Sequence, residues 1–163
     1  MRWLRHLLAR PAHSYFPEPS LQRIAATIAE GERSHTGQVM FAVEADLPLS
    51  ALWRGTSARE RAEQAFATLR TWDTEANNGV LLYLELVDHA IEIVADRGLD
   101  PVPAAQWRQV CERMRERLRA GDELEAAVID ALEGISALVA ARFPRQPGHA
   151  PDNELPDRPH LLG

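Results

Sequence analysis

NNGVLLYLELVDHAIEIVADRG, residues 77 to 98, decides the fold. It holds two runs of branched and aromatic residues, VLLYLEL (80 to 86) and AIEIV (90 to 94). So few residues separate them that a crossover is excluded and a β-hairpin is the economical reading. A two-residue turn centred between Asp88 and His89 would pair Leu81 with Asp96, Val80 with Arg97 and Gly79 with Gly98. This register matters for chemistry. WDTEANNG (72 to 79) enters the hairpin at the end where ADRG (95 to 98) leaves it, so Asp73, Glu75, Asn77 and Asn78 should approach Asp96 and Arg97.

Upstream, QVMFAVEA (38 to 45) carries apolar residues on both faces and reads as an interior strand. Leu21, Ile24, Ala25, Ile28 and Ala29 recur at helical spacing before it, with Gly31 as a stop. After a loop over residues 49–56, Ser57 and Glu60 form a capping box that starts a helix striped by Ala58, Ala62, Ala65, Phe66 and Leu69. Strand, helix, strand in that order predicts a βαβ unit with parallel strands. The parallel register brings Glu32 and His35, which precede the first strand, toward the same end of the sheet as Asp73 and Asp96.

Downstream, Trp107, Val110, Met114 and Leu118 stripe one helix, and Leu124, Val128, Ala131, Leu132, Ile135, Leu138 and Val139 stripe another. Gly121 and Asp122 serve between them as stop and cap. The expected architecture is α/β: a three-layer α/β/α sandwich in which a βαβ unit followed by a hairpin forms a short mixed sheet with helices on both faces. Residues 18–143 make up this domain. Residues 1–17 form an N-terminal segment, and the Pro-rich residues 144–163 an extended tail in which Leu155, Leu161 and Leu162 could dock. In the N-terminal segment Trp3, Leu4, Leu7 and Leu8 share one helical face, with Arg2, Arg5, His6 and Arg10 around it. Such a face suits an anionic membrane surface, a partner or the domain itself.

Composition removes several function classes. A net charge of −6 and a pI near 5.5 argue against nucleic acid as a partner, since phosphate backbones are bound by clustered cations. Cys111 is alone, which excludes an internal disulfide and a Cys-based zinc knuckle and fits a small buried apolar residue. No run reaches the length of a membrane span and no signal peptide is evident, so the expected compartment is the cytoplasm. No G-x-S-x-G, H-E-x-x-H, P-loop or G-x-G-x-x-G motif occurs. His6, His13, His89, His149 and His160 read as surface residues. Trp53, Trp72 and Trp107 read as core or rim packing. The mixed-sign run from Glu112 to Arg119 reads as a solvated helix face with short-range pairs.

The acidic, amide-rich loop therefore carries the chemistry. Converging carboxylate and amide oxygens from Asp73, Glu75, Asn77, Asn78 and Asp96 suit a hard divalent cation, Ca2+ or Mg2+. The pattern is not an EF-hand, because the Gly sits one place late and Glu85 lies six residues along a strand, roughly 20 Å away. The competing reading is a tight Asx turn over Asn77, Asn78 and Gly79, with Asp73 capping backbone N–H groups and pairing with Arg97.

HTGQVMFAVEADLP, SARERAEQAFATLRTWDTEANNGVLLYLELVDHAIEIVADRGLD and the closing LVAARFP resemble the TPM domain family over residues 25 to 144. The resemblance implies an α/β/α sandwich. It also implies divalent-ion binding through acidic residues, as in some members, or acid phosphatase activity, as in others. Its family residues carry over to Asn77, Asn78 and Gly79, and more loosely to Asp73 and Asp96. ADRG stands where many members have a Gly-x-Gly turn. With no Gly/Ser-rich tail, this looks like a short soluble bacterial subgroup. The function expected is a metal-binding, non-enzymatic accessory module whose partner is another protein at or near a membrane. The alternative is a metal-assisted phosphatase in which Arg97 neutralises the oxyanion.

Overall fold

The computed structural model describes Arg5, residues 9–148 and residues 153–163. The apolar face expected over Trp3, Leu4, Leu7 and Leu8, together with Arg2, His6 and His149, lies outside them. The elements in order are α1 (Glu18–Glu32), β1 (Gln38–Glu44), α2 (Leu49–Trp53), α3 (Ala58–Thr68), β2 (Gly79–Glu85), β3 (Ala90–Ala95), α4 (Ala104–Arg119), α5 (Leu124–Arg142) and β4 (His160–Leu162).

The sheet runs β3-β2-β1-β4. β1 pairs parallel with β2 and with β4, and β2 pairs antiparallel with β3. Every residue of β1 and β2 is buried, as expected for strands covered on both faces. Alternation divides their side chains. Val39, Phe41, Val43, Val80, Leu82 and Leu84 pack with α1, α4 and α5 on one face. Met40, Ala42, Leu81 and Tyr83 pack with Ala62 and Ala65 of α3 on the other, where Leu155 of the tail completes the layer. The result is the α/β/α sandwich with its mixed sheet. The capping box of α3 is present, with Ser57 Oγ accepting from Glu60 N at 3.1 Å and Glu60 accepting from Ser57 N at 2.7 Å.

Several local expectations need correction. The hairpin turn spans four residues, not two: Glu85 pairs with Ala90, and the register places Leu81 opposite Val94 and Val80 opposite Ala95. Gly79 O accepts from Asp96 N at 2.9 Å, so Asp96, not Gly98, faces Gly79. The cause is the buried Glu85 carboxylate, which accepts from the N–H groups of Val87 and Asp88, both at 2.9 Å, and holds the wider loop. His89 closes it at φ 55°.

Gly31 does not stop α1, which continues to Glu32; a Cβ there would strike Ser136 Oγ of α5, so its role is close helix packing. The expected loop at 49–56 contains α2. The N-cap of α5 is Glu123, while Asp122 accepts from Arg117 at 2.6 Å. The charged face of α4 is not simply solvated: Arg113 and Arg117 both reach Asp130 of α5, at 2.9 and 3.2 Å. Trp53 is 88% exposed and packs in neither core nor rim. His160 is half-buried on β4, and the same burial lowers its pKa.

Candidate metal centre

The parallel strands give the sheet an entry end, where β1 and β2 begin, and an exit end, where they finish. The acidic loop, Asp96 and the 33–37 loop all meet at the entry end. Gly98 N donates to Asn77 O at 2.8 Å, and Gln38 N donates to Asn78 O at 3.3 Å. The approach of backbone to backbone is close enough to demand glycine. A Cβ on Gly79 would meet Thr71 O, and one on Gly98 would lie 2.5 Å from both Ala76 O and Asn77 O. Asn77 supplies the left-handed residue of the turn, at φ 52°.

Asn78 is buried and shapes the loop. Its N–H donates to Thr74 Oγ1 at 3.0 Å and its Nδ2 to Thr36 O at 3.3 Å, while its Oδ1 has no partner. Asp96 caps the short 3-10 turn Arg97–Leu99, with Oδ1 accepting from Arg97 N at 2.8 Å; its Oδ2 is buried and has no partner. Strand alternation puts Asn78 with Val80 on the α1–α5 face, and Asp96, opposite Gly79, with Leu81 on the α3 face. The two orphan oxygens therefore flank the strand end from opposite sides.

The remaining acids are exposed. Asp73 is held by Arg70 at 2.7 Å rather than by Arg97, and Glu75 points to solvent. An acid the sequence reading missed joins them: Glu154 of the tail accepts from Glu75 N at 2.9 Å. Its only sequence signal is the neighbouring Leu155, whose docking brings it there; Leu155 N donates to Gln38 Oε1 at 3.0 Å. Among the described residues no three His, Cys, Asp or Glu side chains stand as a ready ligand cluster. Arg97 is exposed beside the loop.

Glu32 and His35 reach the same end but face inward. Glu32 accepts from Val39 N at 2.9 Å, and burial pushes its carboxyl up to about 8 with Asp157 of the tail beside it. Asp157 is also raised by burial. Burial and the neighbouring Asp157 both favour the protonated form of Glu32. His35 sits between Gly37 O, 3.1 Å from Nδ1, and Ser136 Oγ, 3.3 Å from Nε2; burial lowers its pKa to about 4, so it is neutral.

The exit end holds a buried polar group that the sequence did not reveal. Glu44, fully buried at the end of β1, accepts from Arg61 of α3 at 2.6 and 2.9 Å and from Tyr83 Oη at 2.6 Å. Burial and the Glu44 hydrogen bond both raise the Tyr83 pKa.

The sequence profile of the TPM domain matches residues 13–138. A search of the curated proteins finds no match. The fold is similar to the NMR structure of the BA42 protein from the psychrophilic bacterium Bizionia argentinensis, with a TM-score of 0.73 and 20% identity over 90% of this chain and 94% of that one. A profile that spans most of the chain leads to one conclusion: the protein belongs to the TPM domain family.

Proposed function

We propose that the protein is a divalent-metal-binding, non-enzymatic accessory module whose cation site lies at the entry end of the sheet. The observation that carries the reading is Asp96 Oδ2, a buried acceptor without a partner, beside a loop rich in exposed carboxylates. An unmet buried acceptor costs about 1–3 kcal/mol, and a cation removes that cost. Asp96 supplies the fixed oxygen. Asp73, Glu75 and Glu154 are exposed and can turn toward it, Asn77 holds the turn, and Asn78 braces the loop through Thr74 and Thr36. Oxygen-only ligands suit Ca2+ or Mg2+. Because side chains must swing to complete the shell, binding is weak, with a dissociation constant of about 1 mM, in the range of low-affinity calcium modules.

At 10 mM calcium such a site stabilises the fold by about 1.4 kcal/mol and raises Tm by about 3–5 °C. Asp96→Asn should abolish that rise. No rise in the natural protein, or an equal rise in the variant, would remove the reading. Hydrolysis of an aryl phosphate that disappears in both Asp73→Asn and Asp96→Asn would replace it with the phosphatase alternative, in which Arg97 has the role of oxyanion partner.

A further inference from the structure

The exit end carries a second feature, separate from the metal loop. Between the hairpin turn and the α4–α5 connection lies a cleft of about 970 Å³. Among the described residues its walls include Arg5, Arg10, Arg115, Arg119 and His89 and no Asp or Glu, in a protein of net charge −6. Its floor is apolar, with Leu86, Ile91 and Leu118.

The cations are only partly neutralised. Arg115 and Arg119 share one carboxylate, Glu112, at 3.0 and 3.6 Å, and Arg5 donates to Val87 O at 2.6 Å. Arg10 has no ion pair among the described residues. A concave surface that is cationic at its walls and apolar at its base complements an anion attached to an apolar body.

A second observation selects the source of that anion. Trp53 and Leu49 of α2 are 88% and 51% exposed, and Tyr15 on the cleft wall is 44% exposed. Hydrogen bonds from Leu86 N to Glu44 O and from Val87 N to Ala45 O, at 3.0 and 3.2 Å, tie the hairpin loop to the segment that leads into α2. Cationic cleft and exposed aromatics therefore share one end of the molecule. Exposed Trp and Tyr beside Arg are the side chains that settle at a bilayer interface, where the ring ends lie among headgroups and the cations meet lipid phosphates.

We infer that the exit end docks on an anionic membrane surface, the cleft of Arg5, Arg10, Arg115 and Arg119 receiving a phospholipid headgroup and Trp53 entering the interface. The binding is electrostatic at onset. It has to overcome the repulsion of an acidic protein, which works because charges farther than about 8 Å away are screened at physiological salt. The entry-end acids then face away from the membrane.

The test is sedimentation of the full chain with vesicles of phosphatidylglycerol and, separately, phosphatidylcholine. Binding to phosphatidylglycerol alone, weakening with added salt, is the expected result. The double variant Arg10→Glu/Arg119→Glu changes only exposed side chains and should lower partition about thirtyfold or more, taking each lost contact as about 1 kcal/mol. Trp53→Ala should weaken binding while Arg108→Glu, on the far part of α4, should not. On vesicles the tryptophan emission should shift to the blue, and Trp53→Ala should remove most of that shift. Equal partition onto both lipids, undiminished binding by the double variant, or capture of an acidic peptide with no vesicle binding would each overturn the inference.

Discussion

Two carboxylates at opposite ends of the sheet, Glu44 and Asp96, are bonded in opposite ways. At the exit end, the buried Glu44 carboxylate has three donors from Arg61 and Tyr83. At the entry end, Asn78 Oδ1 and Asp96 Oδ2 are buried with none. Folded proteins rarely leave such acceptors unmet, which is why the proposed cation site is centred on the second group and not on the first.

The largest way to break this comparison is at the exit end. Arg61→Ala would strand a fully buried carboxylate with only the tyrosine as a donor, and should cost about 3–5 kcal/mol of unfolding free energy in urea titrations. A cost below about 1 kcal/mol would show that Glu44 relaxes to water and that the contrast is overstated. At the entry end, Gly98→Ala forces a Cβ against the carbonyls of Ala76 and Asn77 and should cost about 1–3 kcal/mol, with the loop resonances shifting first.

Next in size is pH dependence, in which two entry-end groups oppose each other. Glu32 has a folded pKa raised from 4.5 to about 8, so its contribution to stability is full below 4.5 and is lost as pH rises through 8. His35 is depressed from 6.5 to about 4, so its contribution is full above 6.5 and is lost as pH falls through 4. The effects offset between 4.5 and 6.5. Stability should therefore decline from pH 6.5 to 8, where His35 no longer offsets Glu32. Glu32→Gln keeps an acceptor for Val39 N and should remove the decline, as followed by urea midpoints across pH. The decline also loosens the tail, because the Glu32–Asp157 contact joins α1 to residues 153–163.

The smallest effect sharpens the comparison most. Without metal, Asp96→Asn keeps the capping oxygen and should change stability by less than about 0.5 kcal/mol, as thermal melts in chelator would show.

How far the sequence shows these ends depends on the signal each residue carries. The central strands, α3 with its capping box and the meeting of WDTEANNG with ADRG follow from local pattern, because periodicity and turn chemistry act over a few residues. The expected hairpin register differs from the observed one by two positions. That slip preserves which face each side chain occupies, so the layers came out right while the pairing of Gly79 did not. The cause is the Glu85 carboxylate that widens the turn, a side-chain effect periodicity does not register.

Long-range partners were least legible. Arg61 meets Glu44 across 17 positions, Glu154 meets Glu75 across 79, and Arg158 grips Glu18 across 140 at 2.8 and 2.9 Å. Only Glu154 has a local signal, the neighbouring Leu155; nothing near Arg61 or Arg158 encodes its contact. The tail reads as Pro-rich and extended with leucines that could dock, and Leu155 does enter the core; the edge strand that His160–Leu162 adds to β1 has no such signal.

The central claim is that the unmet oxygen of Asp96 belongs to a cation site, and a calcium titration followed by amide chemical shifts tests it most directly. The account predicts saturable shifts at millimolar calcium confined to residues 73–78, Asp96, Arg97 and Glu154, absent in Asp96→Asn and absent at Arg61 and Tyr83. Unmoved resonances at residues 73–78 and 96, or the same shifts in Asp96→Asn, would contradict it.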